Sequence, residues 1–177
     1  MAVIKSIYAD RILEKHQFQG TSKDCGPYCI AMINNALNGT DLTGEGLGFE
    51  LNGWVWRGIV PVMRRIKNWA TMPWGMVDKF RELGYRSQWK LFQNTVYLKG
   101  ALEENKLIIP IIGEWHWPLS GVWAHYLVLV QHDPEKGWGF VNPAHKKKEF
   151  DWMSNDDFME KWRWGNHMIV EAERLNA

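Results

Sequence analysis

The sequence predicts an α+β fold, and three observations lead to it. Helical spacing with start and stop signals dominates the first half, around Cys25–Leu37, Thr71–Leu83 and Val96–Leu102. Short apolar, β-branched runs separated by turn residues fill the second half, from Leu107 onward. At 177 residues and 46% hydrophobic, the chain is long enough to bury one substantial core. Residues 1–177 therefore read as one domain, a helical first half packed on an antiparallel sheet.

The elements follow in order. Residues before Gln17 read as a weak strand or lead-in. A helix runs from Cys25 to about Leu37: Asp24 stands at its N-cap, Pro27 fits a first-turn position where its missing N–H costs nothing, and Asn38-Gly39 stops it. Thr40 to Gly53, rich in glycine, threonine and acidic residues, reads as a loop. Ile59 to Trp69 reads as a short helix. Thr71 to Leu83 is a stronger one, with Thr71 as cap, Pro73 in the first turn, Gly84 after the end, and Met76, Phe80 and Leu83 on one core face. Asn94 or Thr95 caps a further helix to about Asn105, with Val96, Leu98 and Leu102 toward its apolar side. Strands are expected at Leu107–Ile112, Tyr126–Val130, Gly139–Val141, Lys148–Phe150 and Met168–Glu171, with a hairpin turn at Asp133–Gly137. Ser154–Asp157 opens a late helix through about Trp162.

Composition excludes several function classes. A formal net charge of +1 gives no broad electrostatic case for nucleic acid or a membrane surface. The run Lys146–Lys148 is followed by Glu149 and Asp151 and reads as a solvated turn or edge strand. No apolar stretch reaches the length of a membrane span, and the first residues lack a signal-peptide core, so a cytoplasmic protein is expected, a secreted mature form being compatible with the same chain. Gly44–Gly48 lacks the Lys-Ser/Thr of a phosphate loop, and Glu114, His116, His125 and His132 match no zinc spacing; no cofactor or metal is expected. Twelve tryptophans show no repeat, and Trp115, Trp117 and Trp123 are the expected cleft walls.

Chemistry concentrates at Cys25. A thiol in the first turn of a helix feels the positive end of the helix dipole, which favours the reactive thiolate. A buried cysteine is otherwise a small hydrophobe, and Cys29, one turn on, reads as that, with no disulfide between the two. Gln17 and Gln19 lie two apart, so in an extended segment either reaches the sulfur to donate to an oxyanion. A thiolate needs an imidazole to take and return protons, and the imidazole needs an acceptor to fix its tautomer. His125 stands at the mouth of one apolar strand and Asn142 at the end of another, where Asn142-Pro143 also suits a plain strand-ending turn. His132, read as ending the strand His125 begins, is the rival base; His16, His116, His145 and His167 read as lead-in, loop or surface residues.

The run Gln19 to Cys25-Gly-Pro, a histidine heading a later strand, and Asn142-Pro143 seventeen residues beyond it resemble the papain-like cysteine peptidases. Among those, the chain is similar to the bacteriocin-processing, double-glycine-leader peptidases and their free-standing relatives, and the likeness extends to the buried stretch Leu107–Ile112. The resemblance selects Gln19 over Gln17 and His125 over His132. It implies a papain-like fold, a Cys25 nucleophile, a His125 base, an Asn142 orienting residue and a Gln19 oxyanion donor, acting on a peptide or protein substrate. Asn142 stands where that family usually carries Asp, which implies weaker stabilisation of the imidazolium. Such peptidases are usually fused to a transporter, and this chain has no span. The expected activity is peptide or amide hydrolysis; alternatives are acyl transfer by the same triad, or a silent peptidase-like module that binds peptide or glycan.

Overall fold

The computed structural model describes residues 2–116 and 121–175, and side chains are described throughout these except at 114–116 and 121–123. In chain order the elements are β1 (Ile4–Lys5), α1 (Ala9–Glu14), α2 (Cys25–Asn38), α3 (Gly44–Leu51), β2 (Trp54–Arg57), β3 (Val60–Met63), β4 (Arg65–Ile66), β5 (Ala70–Thr71), α4 (Pro73–Glu82), β6 (Tyr85–Lys90), α5 (Thr95–Glu103), β7 (Leu107–His116), β8 (Gly121–Tyr126), β9 (Val128–Asp133), β10 (Gly137–Val141), β11 (Asp151–Met153), α6 (Asn155–Trp164) and β12 (Ile169–Arg174).

The main sheet is antiparallel and runs β11-β10-β9-β7-β12-β6, with β1 added to β9 and β8 to β7. Strand periodicity divides the core in two. Ile109 and Ile111 of β7 join Val128, Val130 and Val170 in a cluster with α1, α2 and α4. Ile108 and Ile112, on the other face, join Leu129, Phe140 and Ile169 in a cluster with α5 and α6. Helices thus cover both faces of the sheet, which explains why the strands read as nearly continuous apolar runs. Each fully buried Leu, Ile or Phe contributes about 1.5–3 kcal/mol of burial energy, and α2 supplies Ile30, Met32 and Ile33 at no exposure. That burial fixes the helix carrying Cys25 against the sheet.

Several expectations hold and several are corrected. Helix α2 ends at Gly39, whose φ of 65° is the left-handed stop expected of it. Asp24 occupies the N-cap position, but its side chain makes no cap hydrogen bond and turns to Arg65. The lead-in contains a short strand and the helix α1, whose six residues carry too few periods to be read. The expected loop at Thr40–Gly53 contains helix α3, capped by Thr43 Oγ1 accepting from Gly46 N–H. Its glycines serve close packing: a Cβ on Gly44 would stand 2.1 Å from the Tyr28 ring.

Ile59–Trp69 holds β3 and β4, which pair with β2 and β5 on either side, and not a helix. Arg57 pairs with Val60, so Gly58-Ile59 is a two-residue turn, and Gly58 supplies the positive φ of 64° that such turns require. Trp54, Trp56 and Ile59 are exposed on this hairpin. Thr71 lies in β5; α4 starts behind Met72 without a side-chain cap. Val96 is exposed, whereas Leu98 and Leu102 are buried as expected. Strand β6, polar and at the sheet edge, was not expected. Strand β7 extends to His116, so that residue is in a strand rather than a loop.

His125 and His132 occupy different strands, β8 and β9, separated at Leu127. The Asp133 turn is as expected, its Oδ1 accepting from Glu135 and Lys136 N–H. Lys146–Lys148 are exposed in a turn, and the strand expected at Lys148–Phe150 starts instead at Asp151. Among the described residues no helix is long and apolar enough to cross a membrane.

Candidate functional site

Cys25 is the first residue of α2 and is buried. The packing of α2 on the sheet brings its Sγ to 3.5 Å from the Tyr126 backbone N, which donates to it. Tyr126 directly follows His125 in β8 and anchors that strand end, its hydroxyl donating to the Thr71 carbonyl at 2.9 Å. Gly26 keeps this contact close, since a Cβ there would meet Met76 and Thr71 at 3.1 and 3.2 Å.

His125 is 3% exposed and its Nε2 lies 2.7 Å from Asn142 Oδ1. The two residues come from β8 and from the end of β10, which the β7–β9–β10 ladder sets side by side. Asn142 is itself held on every side. Its Oδ1 accepts from Ala144 N–H at 3.0 Å, its Nδ2 donates to Asp151 Oδ2 at 2.7 Å, and its backbone carbonyl accepts from His16 Nε2 at 3.0 Å. A carboxylate only accepts and a backbone N–H only donates, so these partners fix which end of the amide is oxygen. The His125 Nε2 must therefore donate, and Nδ1 is the ring nitrogen that carries the lone pair.

Gln19 reaches the same place through its backbone, its N–H donating to Pro143 O at 2.8 Å. Its side-chain Nε2 donates to Ser22 O at 3.0 Å, and its Oε1 is buried with no hydrogen-bond partner among the described residues. Gln17 is engaged elsewhere: its amide donates to Leu42 O and accepts from Gly44 N–H, tying the chain to the start of α3.

The electrostatics differ from the first-turn expectation. Burial pushes the Cys25 thiol above its ordinary value; the N–H groups of Tyr126 and Gly26 pull the other way and do not offset it, and Asp24 adds to the rise. The helix dipole is present, but desolvation of a buried thiolate outweighs it. Burial likewise lowers the affinity of His125 for a proton, against the opposing pull of Asn142. Cys29, fully buried behind Cys25, is pushed up further.

A cavity of about 440 Å³ opens beside the imidazole, lined by His125, Asn142, His145, Asp151, Trp152 and Lys161 among others. Trp117 lies outside the described residues, as do the side chains of Trp115 and Trp123, so the cleft walls expected of them are not placed. Trp152 lines the cavity instead. The rival His132 packs edge-on against Trp138, with ring centroids 4.5 Å apart, away from Cys25's contacts. Sequence reasoning missed three participants: Asp151, His16 and the Tyr126 backbone. Strand pairing and chain crossing deliver all three, and no spacing motif announces them.

No protein-family model matches the chain, and no curated protein sequence does. Solved structures do. A protein described as a C39-like peptidase from Bacillus anthracis superposes with a TM-score of 0.60 at 12% identity, over 88% of this chain and 90% of that one. The peptidase domain of Streptococcus ComA, a bifunctional ABC transporter of a quorum-sensing pathway, superposes with a TM-score of 0.60 at 17% identity, over 86% of this chain and 93% of that domain. The chain thus has the α+β fold of the C39-like, papain-like peptidases.

Proposed function

We propose that the protein is a cysteine peptidase, a thiol hydrolase of peptide or amide bonds. The observation that carries this is the Tyr126 N–H to Cys25 Sγ contact, which seats the thiol beside the strand end where His125 is bonded to Asn142. Cys25 attacks the scissile carbonyl carbon as His125 Nδ1 takes the thiol proton. The same proton then passes to the leaving nitrogen, and the C–N bond breaks to give a thioester. Water, deprotonated by His125, attacks the thioester and releases Cys25 as a thiol. Burial raises the Cys25 thiol and lowers His125, and both shifts favour a reaction in which His125 acts as general base. Asn142 holds the imidazole. The Cys25 backbone N–H at the helix start and the second N–H of the Gln19 amide stabilise the oxyanion. A Cys25→Ala protein is expected to cleave no peptide from a library that the wild-type protein cleaves; cleavage by that variant would refute the assignment.

A second reading is favoured by one observation, the upward push on the Cys25 thiol. In it the fold persists as a peptide-binding module without turnover. Acyl transfer to an added amine would use the same residues, and incorporation of the amine into product distinguishes it from hydrolysis.

A further inference from the structure

We infer that Asp151 is a positioning residue for the reaction proposed above: it locks the Asn142 amide in one orientation and thereby sets which nitrogen of His125 carries the proton. The role rests on the peptidase reading, but the geometry stands apart from it. Asn142 bridges two groups through opposite ends of its amide, His125 Nε2 at 2.7 Å on Oδ1 and Asp151 Oδ2 at 2.7 Å on Nδ2. A flipped amide would set its oxygen against the Asp151 carboxylate and its NH₂ against Ala144 N–H, losing both bonds and opposing like charges. Without Asp151, the partner that favours the working orientation among the described residues is Ala144 N–H, whose 3.0 Å bond to Oδ1 is the weaker, uncharged one.

Asp151 also places a full negative charge one residue behind the imidazole. Where Asn stands in a triad, the amide supplies only a dipole to the developing imidazolium. A carboxylate on the far side of that amide polarises it toward His125 and attracts the imidazolium through it. The carboxylate is held for this: it opens β11, which pairs with β10, and its side chain is 18% exposed. The charged and titratable groups around it are His145, with Nδ1 at 3.5 Å, and His125, Asp157 and Lys161 around the shared cavity; His16 lies on the Asn142 carbonyl.

The test uses the full chain with Asp151→Ala and Asp151→Asn. Nitrogen-15 NMR of the imidazoles, with His125 assigned by its loss in His125→Gln, reads the tautomer. Wild-type His125 is expected to be protonated at Nε2. Asp151→Ala should show both tautomers, with Cys25 alkylation at pH 7 slowed about tenfold or more, as a wrong tautomer demands. Asp151→Asn keeps an acceptor for Asn142 Nδ2, so the tautomer should persist while His125 titrates lower than in the wild-type protein. An unmoved tautomer in a folded Asp151→Ala would overturn the inference. So would an unmoved His125 titration in Asp151→Asn, which serves alone if the alanine variant does not fold. A protein that cleaves no peptide yet shows these shifts refutes the peptidase and leaves the Asp151 role standing; normal cleavage with an unmoved tautomer does the reverse.

Discussion

The Arg65 guanidinium is bonded to the Asp24 carboxylate directly ahead of Cys25, with side-chain exposures of 4% and 12%. Arg65 also donates to Asn52 Oδ1, so β4 and the end of α3 are joined to the start of the α2 helix through one side chain. Asp24 adds to the rise in the Cys25 pKa, and Arg65 is the cation bonded to that carboxylate.

Arg65→Met is therefore expected to act twice. It leaves a buried carboxylate without its partner, costing about 3–5 kcal/mol of stability in urea unfolding. It also exposes Cys25 to the uncompensated negative charge, so alkylation of the folded variant should be slower than wild type at pH 7. A variant with unchanged midpoint and unchanged rate would show that the pair matters to neither.

Asn142→Asp is expected to impair the protein. The new carboxylate would sit against Asp151, where Nδ2 and Oδ2 are now 2.7 Å apart. Two carboxylates at that distance share a proton, so the pair holds one charge and not two. The exchange variant, Asn142→Asp with Asp151→Asn, should recover Cys25 alkylation at pH 7 relative to the single Asn142→Asp change. Equal rates in the single and the exchanged protein would contradict the arrangement.

Stability should fall as the solution is acidified through the histidine range. Burial is the largest cause lowering the pKa of both His125 and His132 from 6.5. The unfolded chain therefore binds protons that the folded one does not, and the stabilisation present above about pH 6.5 is lost as pH falls toward the lowered folded values. Glu171, also lowered from 4.5, contributes only further down. His132→Gln should flatten the decline in Tm between pH 6.5 and pH 5 compared with wild type. Parallel curves for the two proteins would remove His132 from this account.

Much of the fold was legible where local chemistry and tertiary packing agree. Helix α2 carried its own stop at Gly39, α5 its Asn94 cap and α6 its Ser154 cap, and the structure uses all three. Legibility failed where residues serve distant partners. Gly44 and Gly48 resemble loop residues, yet they let α3 approach Tyr28 and Asp24. Asp24 resembles a cap but is drawn away by Arg65 across 41 residues of sequence. Trp54 to Val62 carried aromatic and β-branched residues about a Gly58 turn, a hairpin signal that a helical reading of the following stretch obscured. At the candidate site, Cys25, His125, Asn142 and Gln19 are named by a resemblance that links them. Asp151 is not, because it meets Asn142 only through the pairing of β10 with β11.

The most direct measurement is the rate of iodoacetamide labelling of Cys25 in the native protein from about pH 5 to pH 9, in wild type and in His125→Ala, read by mass spectrometry with the deeply buried Cys29 as internal control. With His125 as proton acceptor, wild-type Cys25 should label at pH 6–7 at least about tenfold faster than in the variant, well below the ordinary thiol titration near pH 8.5. Identical profiles in the two proteins, both rising only above that range, would mean that no base serves Cys25 and would contradict the peptidase reading.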